Sequence, residues 1–88
     1  MKTGTYTVNN QMGLHARPAA EIAKLAGKHK SVVTLLAGSK KANGKSVLML
    51  TTLGAKKGTE ITLQVEGEDE EEVFEKLDDM FANSFYEE

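Results

Sequence analysis

The pattern of hydrophobic and polar residues predicts β-strands in four segments of the chain. The clearest case is residues 59–66, where Ile61, Leu63 and Val65 alternate with polar side chains. β-Branched and aliphatic residues favour a strand over residues 31–36. Gly38 and Ser39 then predict a turn into a shorter, weaker strand. The four predicted strands cover residues 3–9, 31–36, 40–42 and 59–66.

Three further segments have helical spacing. Residues 16–26 place Ala19, Ile22, Ala23 and Ala26 on one helix face, and Gly27 follows where a C′ glycine is expected. Ser46 is a favourable N-cap for a short helix over residues 47–53, which Gly54 would end. The last predicted helix covers residues 69–83. Its predicted buried stripe consists of Val73, Phe74, Leu77, Met80 and Phe81.

The predicted element order is β-α-β-β-α-β-α. Short hairpin connections favour an antiparallel sheet, and the one-sided strands leave one face for helices and the other for water. We therefore expect an α+β fold, an open-faced sandwich of two layers. The 88 residues provide for a single domain over 1–88, and 40% hydrophobic with 27% charged residues is ordinary for a globular protein.

The composition excludes several classes of chemistry. The chain has no cysteine, which removes disulfides, thiolate metal sites and thiol nucleophiles, and this favours a cytoplasmic location. We expect no signal peptide and no membrane insertion, because no apolar run approaches the ~20 residues of a membrane span. A net charge of −2 does not favour nucleic-acid binding. The acidic residues 68–72 are expected to cap the last helix, and no metal site is predicted.

The segment around His15 and Pro18 contains the residues with the clearest potential for a functional site. Proline is tolerated in the first turn of a helix, so His15 is expected at the N-cap. The N–H groups of Ala16 and Arg17 would then point out of the positive end of the helix, and the Arg17 guanidinium adds a cation. Such a site favours phosphate, and a neutral imidazole within it would be a nucleophile that could carry a phosphoryl group.

The residues alone leave a second interpretation open. His15 could be an ordinary exposed histidine beside a helix-start proline and a solvated arginine. A metal-ligand role for His15 is less favoured, because no second ligand lies three or four positions away. His29, between two lysines past a predicted helix end, is expected to be solvated and without a catalytic role.

Residues 13–19, with the sequence GLHARPA, resemble the active-site signature of the HPr family, the histidine phosphocarriers of the bacterial phosphoenolpyruvate-dependent phosphotransferase system. Length and element order agree with this resemblance over the whole chain. It implies four antiparallel strands with three helices on one face. It further implies that enzyme I phosphorylates His15 on Nδ1, that Arg17 and the Ala16 and Arg17 amides hold the phosphoryl oxygens, and that Pro18 sets the helix start.

The resemblance also implies which proteins would bind this chain. Enzyme II A domains would accept the phosphoryl group, so the chain would be a stoichiometrically modified carrier without cofactor and not an enzyme. Ser46 matches a position that a dedicated kinase phosphorylates in many Gram-positive members, which makes a Ser46-switched regulatory module an alternative. Val47, Leu48, Thr51 and Met12 depart from the Gram-positive pattern. Residues 42–53 and 81–88 look more like the nitrogen-related paralogue, a second alternative.

A docking surface is predicted beside His15. In the short helix Val47 and Leu50 can reach the core, whereas Leu48 and Met49 are expected to remain partly exposed. An exposed apolar patch marks a partner site, although a fully buried short helix is the competing interpretation. The residues expected to form or flank this site are Val47, Leu48, Met49, Arg17, Lys24, Lys28, Lys45 and Lys56. We expect the carrier to be a monomer.

Overall fold

A computed structural model describes residues 1–9 and 11–83 of the chain. It contains four strands and three helices over these residues, in the predicted order. The strands are β1 (Lys2–Thr7), β2 (Val32–Ala37), β3 (Lys40–Asn43) and β4 (Glu60–Glu66); the helices are α1 (Ala16–Gly27), α2 (Val47–Thr52) and α3 (Glu70–Ala82).

The strands form one antiparallel sheet in the order β1-β4-β2-β3. The C-terminal strand β4 lies between β1 and β2, with Tyr6 opposite Ile61 and Leu35 opposite Leu63. β2 and β3 form the hairpin predicted at Gly38, whose φ of 62° suits glycine. The helices cover one face of this sheet, so the expected open-faced α+β sandwich is confirmed.

The core lies between the sheet and the helices because the strands alternate. Ile61, Leu63 and Val65 are fully buried against the helix layer, where Ile22 and Leu77 are buried too. On the opposite face, Thr62 of β4 stands between Thr5 of β1 and Leu36 of β2, and none of these three is fully buried. The site discussed below therefore lies on the helix layer and its ends.

Helix ends differ from expectation at one position. α1 continues through Gly27, and Lys28 caps it in a right-handed conformation, so Gly27 is not the C′ residue that we predicted. Gly54 does take that role after α2, with φ 68°. Of the tail 81–88 that entered the comparison with the nitrogen-related paralogue, residues 84–88 lie outside the described part. No helix in the described part is long and apolar enough to span a membrane.

Candidate functional site at the start of helix α1

His15 is the N-cap residue of α1. Its backbone is extended (φ −89°, ψ −171°), and its carbonyl accepts a hydrogen bond from the Ala19 amide at 3.1 Å. The imidazole forms no capping hydrogen bond with the described first turn of α1. It is half-buried at the helix end. The ring nitrogens of His15 therefore do not cap the helix, whereas the side-chain oxygen of a Ser or Asp at this position would accept a hydrogen bond from a first-turn amide.

The first turn of α1 forms a positive helix end. Pro18 is fully buried within it, while Ala16 and Arg17 are exposed. Every residue of this turn is described, and none is acidic. The first-turn N–H groups have no carbonyl partner within the helix, and the helix dipole places about half a positive charge there. Ala16, Arg17 and Pro18 thus form the first turn directly after the His15 N-cap, at the positions expected from the sequence.

The loop before His15 is anchored to the segment that follows α2. Gly13 has φ 66°, and a Cβ on it would clash with the Ala55 carbonyl oxygen. The Leu14 amide donates to the same carbonyl at 2.8 Å, and the Leu14 side chain is buried. Gly13 was not predicted to make this contact. A glycine directly before an apolar residue and a helix N-cap can indicate a close backbone approach.

Ser46 caps α2 as predicted, since its Oγ accepts a hydrogen bond from the Met49 amide at 3.2 Å. The helix is amphipathic: Leu50 is fully buried, whereas Val47, Leu48 and Met49 are 40%, 75% and 45% exposed. Val47 therefore does not reach the core as its spacing suggested. We call Val47, Leu48 and Met49 the apolar patch.

A groove of about 460 Å³ adjoins the apolar patch on the side of β3. It is lined by Leu48, Met49, Thr52 and Leu53 together with Lys40 and Lys41 of β3. The two lysines were not predicted as part of a site. They belong to a short strand with a weak pattern, and their proximity to α2 depends on the packing of this helix against β3.

The lysines predicted to rim the patch are exposed but not equivalent. Lys24 and Lys28 lie on the exposed surface of the C-terminal half of α1 and its cap. Lys45 donates from Nζ to the carbonyl oxygen of His29 at 3.1 Å. A partner's carboxylate would compete with this backbone acceptor for Lys45.

His29 is not the solvated residue that we predicted. Its side chain is only 13% exposed, and its Nδ1 lies 3.0 Å from Oδ2 of Asp69. The Asp69 carboxylate also accepts hydrogen bonds from the Ser31 hydroxyl and from the amides of Lys30 and Ser31. These contacts, the Ser31 hydroxyl foremost, hold the pKa of Asp69 well below its usual range. The N-terminus of α3 is thereby fastened to the turn between α1 and β2.

The surroundings of the two histidines are opposite in charge. Nε2 of His29 lies 4.0 Å from the Glu72 carboxylate, whereas His15 stands beside Arg17 and a helix N-terminus. Carboxylates on both ring nitrogens of His29 would repel a phosphoryl group. Among residues 1–9 and 11–83, no group of three or more His, Cys, Asp or Glu side chains is arranged to hold a metal ion.

The family model described as "PTS HPr component phosphorylation site" matches residues 2–83. A phosphocarrier protein HPr of Lysinibacillus sphaericus is 43% identical over 77 residues, which cover 88% of each chain. Among solved structures, an HPr of Thermoanaerobacter tengcongensis superposes with a TM-score of 0.92 at 40% identity, covering 100% of this chain and 99% of the other. An HPr dimer from the same organism gives a TM-score of 0.74 at 39% identity, over 97% and 98% of the two chains.

Proposed function

This chain belongs to the HPr family of phosphocarriers of the phosphotransferase system, and within that function we propose that His15 is the residue that carries the phosphoryl group. The observation that carries the proposal is the position of the imidazole. It stands at the N-terminus of α1, next to Arg17, without being used to cap the helix. His29, the other histidine, is engaged by Asp69.

The transfer proceeds by in-line displacement at phosphorus. The unprotonated ring nitrogen of His15 attacks the phosphorus held by the donor, a new N–P bond forms as the donor's bond to phosphorus breaks, and the other ring nitrogen keeps its proton. The amides of Ala16 and Arg17 and the Arg17 guanidinium supply donors and positive charge to the phosphoryl oxygens. Pro18 keeps the turn in place without needing a backbone N–H of its own.

Enzyme I as donor and enzyme II A domains as acceptors are the partners that we propose for this relay. The chain would act as a stoichiometrically modified carrier in the cytoplasm, without turnover on its own. The apolar patch lies on the neighbouring helix and would dock each partner in turn, while Lys24, Lys28 and Lys45 speed encounter with acidic surfaces. Rapid exchange suits an interface of under about 1,200 Å².

The direct test is labelling with phosphoenolpyruvate and enzyme I. We expect one acid-labile, base-stable phosphoryl group per chain, and none in His15→Ala. The control is His29→Gln, which should still be labelled because the carboxylates around His29 oppose phosphorylation there. Label that persists in His15→Ala would overturn the assignment.

Arg17 can be tested separately from the nucleophile. Arg17→Lys keeps a positive charge but loses the planar fork that can contact two phosphoryl oxygens at once. We expect Arg17→Ala to fold normally and to transfer slowly, with Arg17→Lys between it and the parent chain. Equal transfer rates in all three proteins would exclude the proposed role of Arg17.

A second, regulatory role is favoured at Ser46 by its position. The hydroxyl caps α2 at the edge of the apolar patch and is not fully buried. A phosphoryl group there would add about −1.5 to −2 charges beside the residues proposed to dock acidic partners. Incubation with ATP and a Ser46-directed kinase tests this role. Phosphoserine that slows transfer to His15 would support it, and exclusive modification of His15 would contradict it.

We propose that the carrier works as a monomer. β1 pairs with β4 of the same chain, so the sheet is completed within one copy. Sedimentation at micromolar concentration should give the mass of one chain. A dimer under the conditions of full transfer activity would contradict this proposal.

A further inference from the structure

We propose that Met12 and Met49 are sites of reversible oxidation by peroxide, and that their sulfoxides slow phosphoryl transfer by making the docking surface polar. This inference rests on the proposed function of the chain. It concerns two side chains that the transfer chemistry itself does not use.

Exposure and position together set these methionines apart within the chain. Of its four methionines, Met12 is 73% and Met49 45% exposed, while Met80 is partly buried and packs against the core. Met1, at 63%, is exposed as well but precedes β1 and belongs neither to the loop before His15 nor to α2. Since the chain has no cysteine, no thiol competes for the oxidant, and the exposed thioethers are the side chains most prone to it.

Both methionines belong to segments that adjoin helix α1, which begins at the phosphoryl site. Met49 is part of the apolar patch and lines the groove together with Lys40 and Lys41. Met12 lies three residues before His15, in the loop anchored through Gly13 and Leu14 to the Ala55 carbonyl. A partner that covers His15 and α2 must therefore desolvate this region.

The chemical step needs a peroxide. A sulfur lone pair attacks the terminal peroxide oxygen, the O–O bond breaks, and the products are methionine sulfoxide and water or an alcohol. The sulfur loses two electrons. A methionine sulfoxide reductase reverses the step with two electrons and two protons from thiols, releasing the oxygen as water. The reversal distinguishes this modification from irreversible damage.

The consequence is expected in docking and not in folding. A sulfoxide replaces a flexible apolar group by a strongly polar one, which must lose water when a partner covers it. Because Met12 and Met49 are exposed, oxidation introduces no polar atom into the core. Met80 packs against the core, so its oxidation would act on stability instead.

The experiment compares the parent chain with Met12→Leu/Met49→Leu, which keeps apolar side chains of similar size but cannot be oxidised at these positions. Each protein is treated with hydrogen peroxide, mapped by mass spectrometry, and assayed for the second-order rate of phosphorylation by enzyme I. We expect a roughly tenfold lower rate in the oxidised parent chain, with recovery after reductase treatment. Peroxide should not change the rate of the double variant relative to the untreated double variant, and the control Met80→Leu should remain sensitive.

Several results would overturn the inference. One is a rate that changes less than twofold although Met12 and Met49 are fully oxidised. Another is an equal loss in the double variant, and a third is a loss that parallels unfolding measured by circular dichroism. Failure of untreated parent chain to accept the phosphoryl group on His15 would instead contradict the proposed function, so the two failures are distinguishable.

Discussion

Leu48 and Leu50 of α2 provide a matched test of where the core ends and the docking surface begins. They are two positions apart in one short helix, yet Leu48 is 75% exposed and Leu50 is fully buried. Replacing each by alanine makes the same chemical change in both places. We expect opposite consequences, because the side chains face water in one case and the sheet in the other.

The magnitudes follow from burial. Leu50→Ala removes a fully buried side chain, which costs about 2–5 kcal/mol of the free energy of unfolding. Leu48→Ala should change that free energy by less than about 0.5 kcal/mol. Full burial of a leucine contributes roughly 1.5–3 kcal/mol, so a partner that covers the exposed three quarters of Leu48 gains about 1–2 kcal/mol. Losing it corresponds to a roughly 5- to 30-fold slower second-order transfer.

Urea unfolding and phosphotransfer from enzyme I separate these effects. Leu48→Ala should unfold at the parent urea midpoint but transfer more slowly at low carrier concentration, with a smaller difference at saturation. Leu50→Ala should shift the midpoint strongly. If Leu48→Ala destabilises the fold by more than about 1 kcal/mol, the helix is buried in a way that the structure does not show. If its transfer rate is unchanged, the apolar patch does not dock the donor.

Three further predictions concern residues that stabilise the fold: a helix cap, a loop glycine and a hydrogen-bonded carboxylate. Ser46→Ala should lower the free energy of unfolding by about 1 kcal/mol in urea unfolding, because the Met49 amide loses its acceptor. Gly13→Ala should cost more than Gly38→Ala by the same measurement: both positions have positive φ, at a cost of about 1–2 kcal/mol for an L-residue, but only Gly13 also meets the Ala55 carbonyl. An equal cost would contradict that contact. Finally, the lowered pKa of Asp69 means that its stabilising contacts are fully present above the unfolded-state pKa of about 3.9 and are lost as pH falls below it. The melting temperature should therefore drop on acidification, and less steeply in Asp69→Asn; parallel pH profiles would refute the role of Asp69.

Local patterns in the sequence were sufficient to predict much of the fold and the position of His15 at the start of α1. Alternation located β1 and β4, β-branched residues located β2, and the turn at Gly38 indicated β3; helical spacing and capping residues located the three helices within a few residues. His15 was correctly expected at the N-cap, since a proline in the first turn restricts where that helix can begin. Such features depend on neighbours within one turn or one hairpin, which the sequence displays directly.

Contacts between distant segments were not predictable in the same way. His29 and Ser31 meet Asp69 across 40 and 38 residues, so nothing in the sequence around His29 indicated its carboxylate partner. The same holds for Lys40 and Lys41 beside α2. Each of these contacts forms because the sheet brings together elements whose local sequences carry no information about one another.

The sequence by itself determined the helix start that holds His15 and Arg17, because proline, the N-cap position and the helix dipole all act within a few residues. Only the tertiary structure decided which side of α2 faces outward. Spacing allowed Val47 to join Leu50 in the core, but Val47 is 40% exposed. Helical periodicity defines relative directions around a short helix, whereas packing against α1 and β3 selects the direction that is buried.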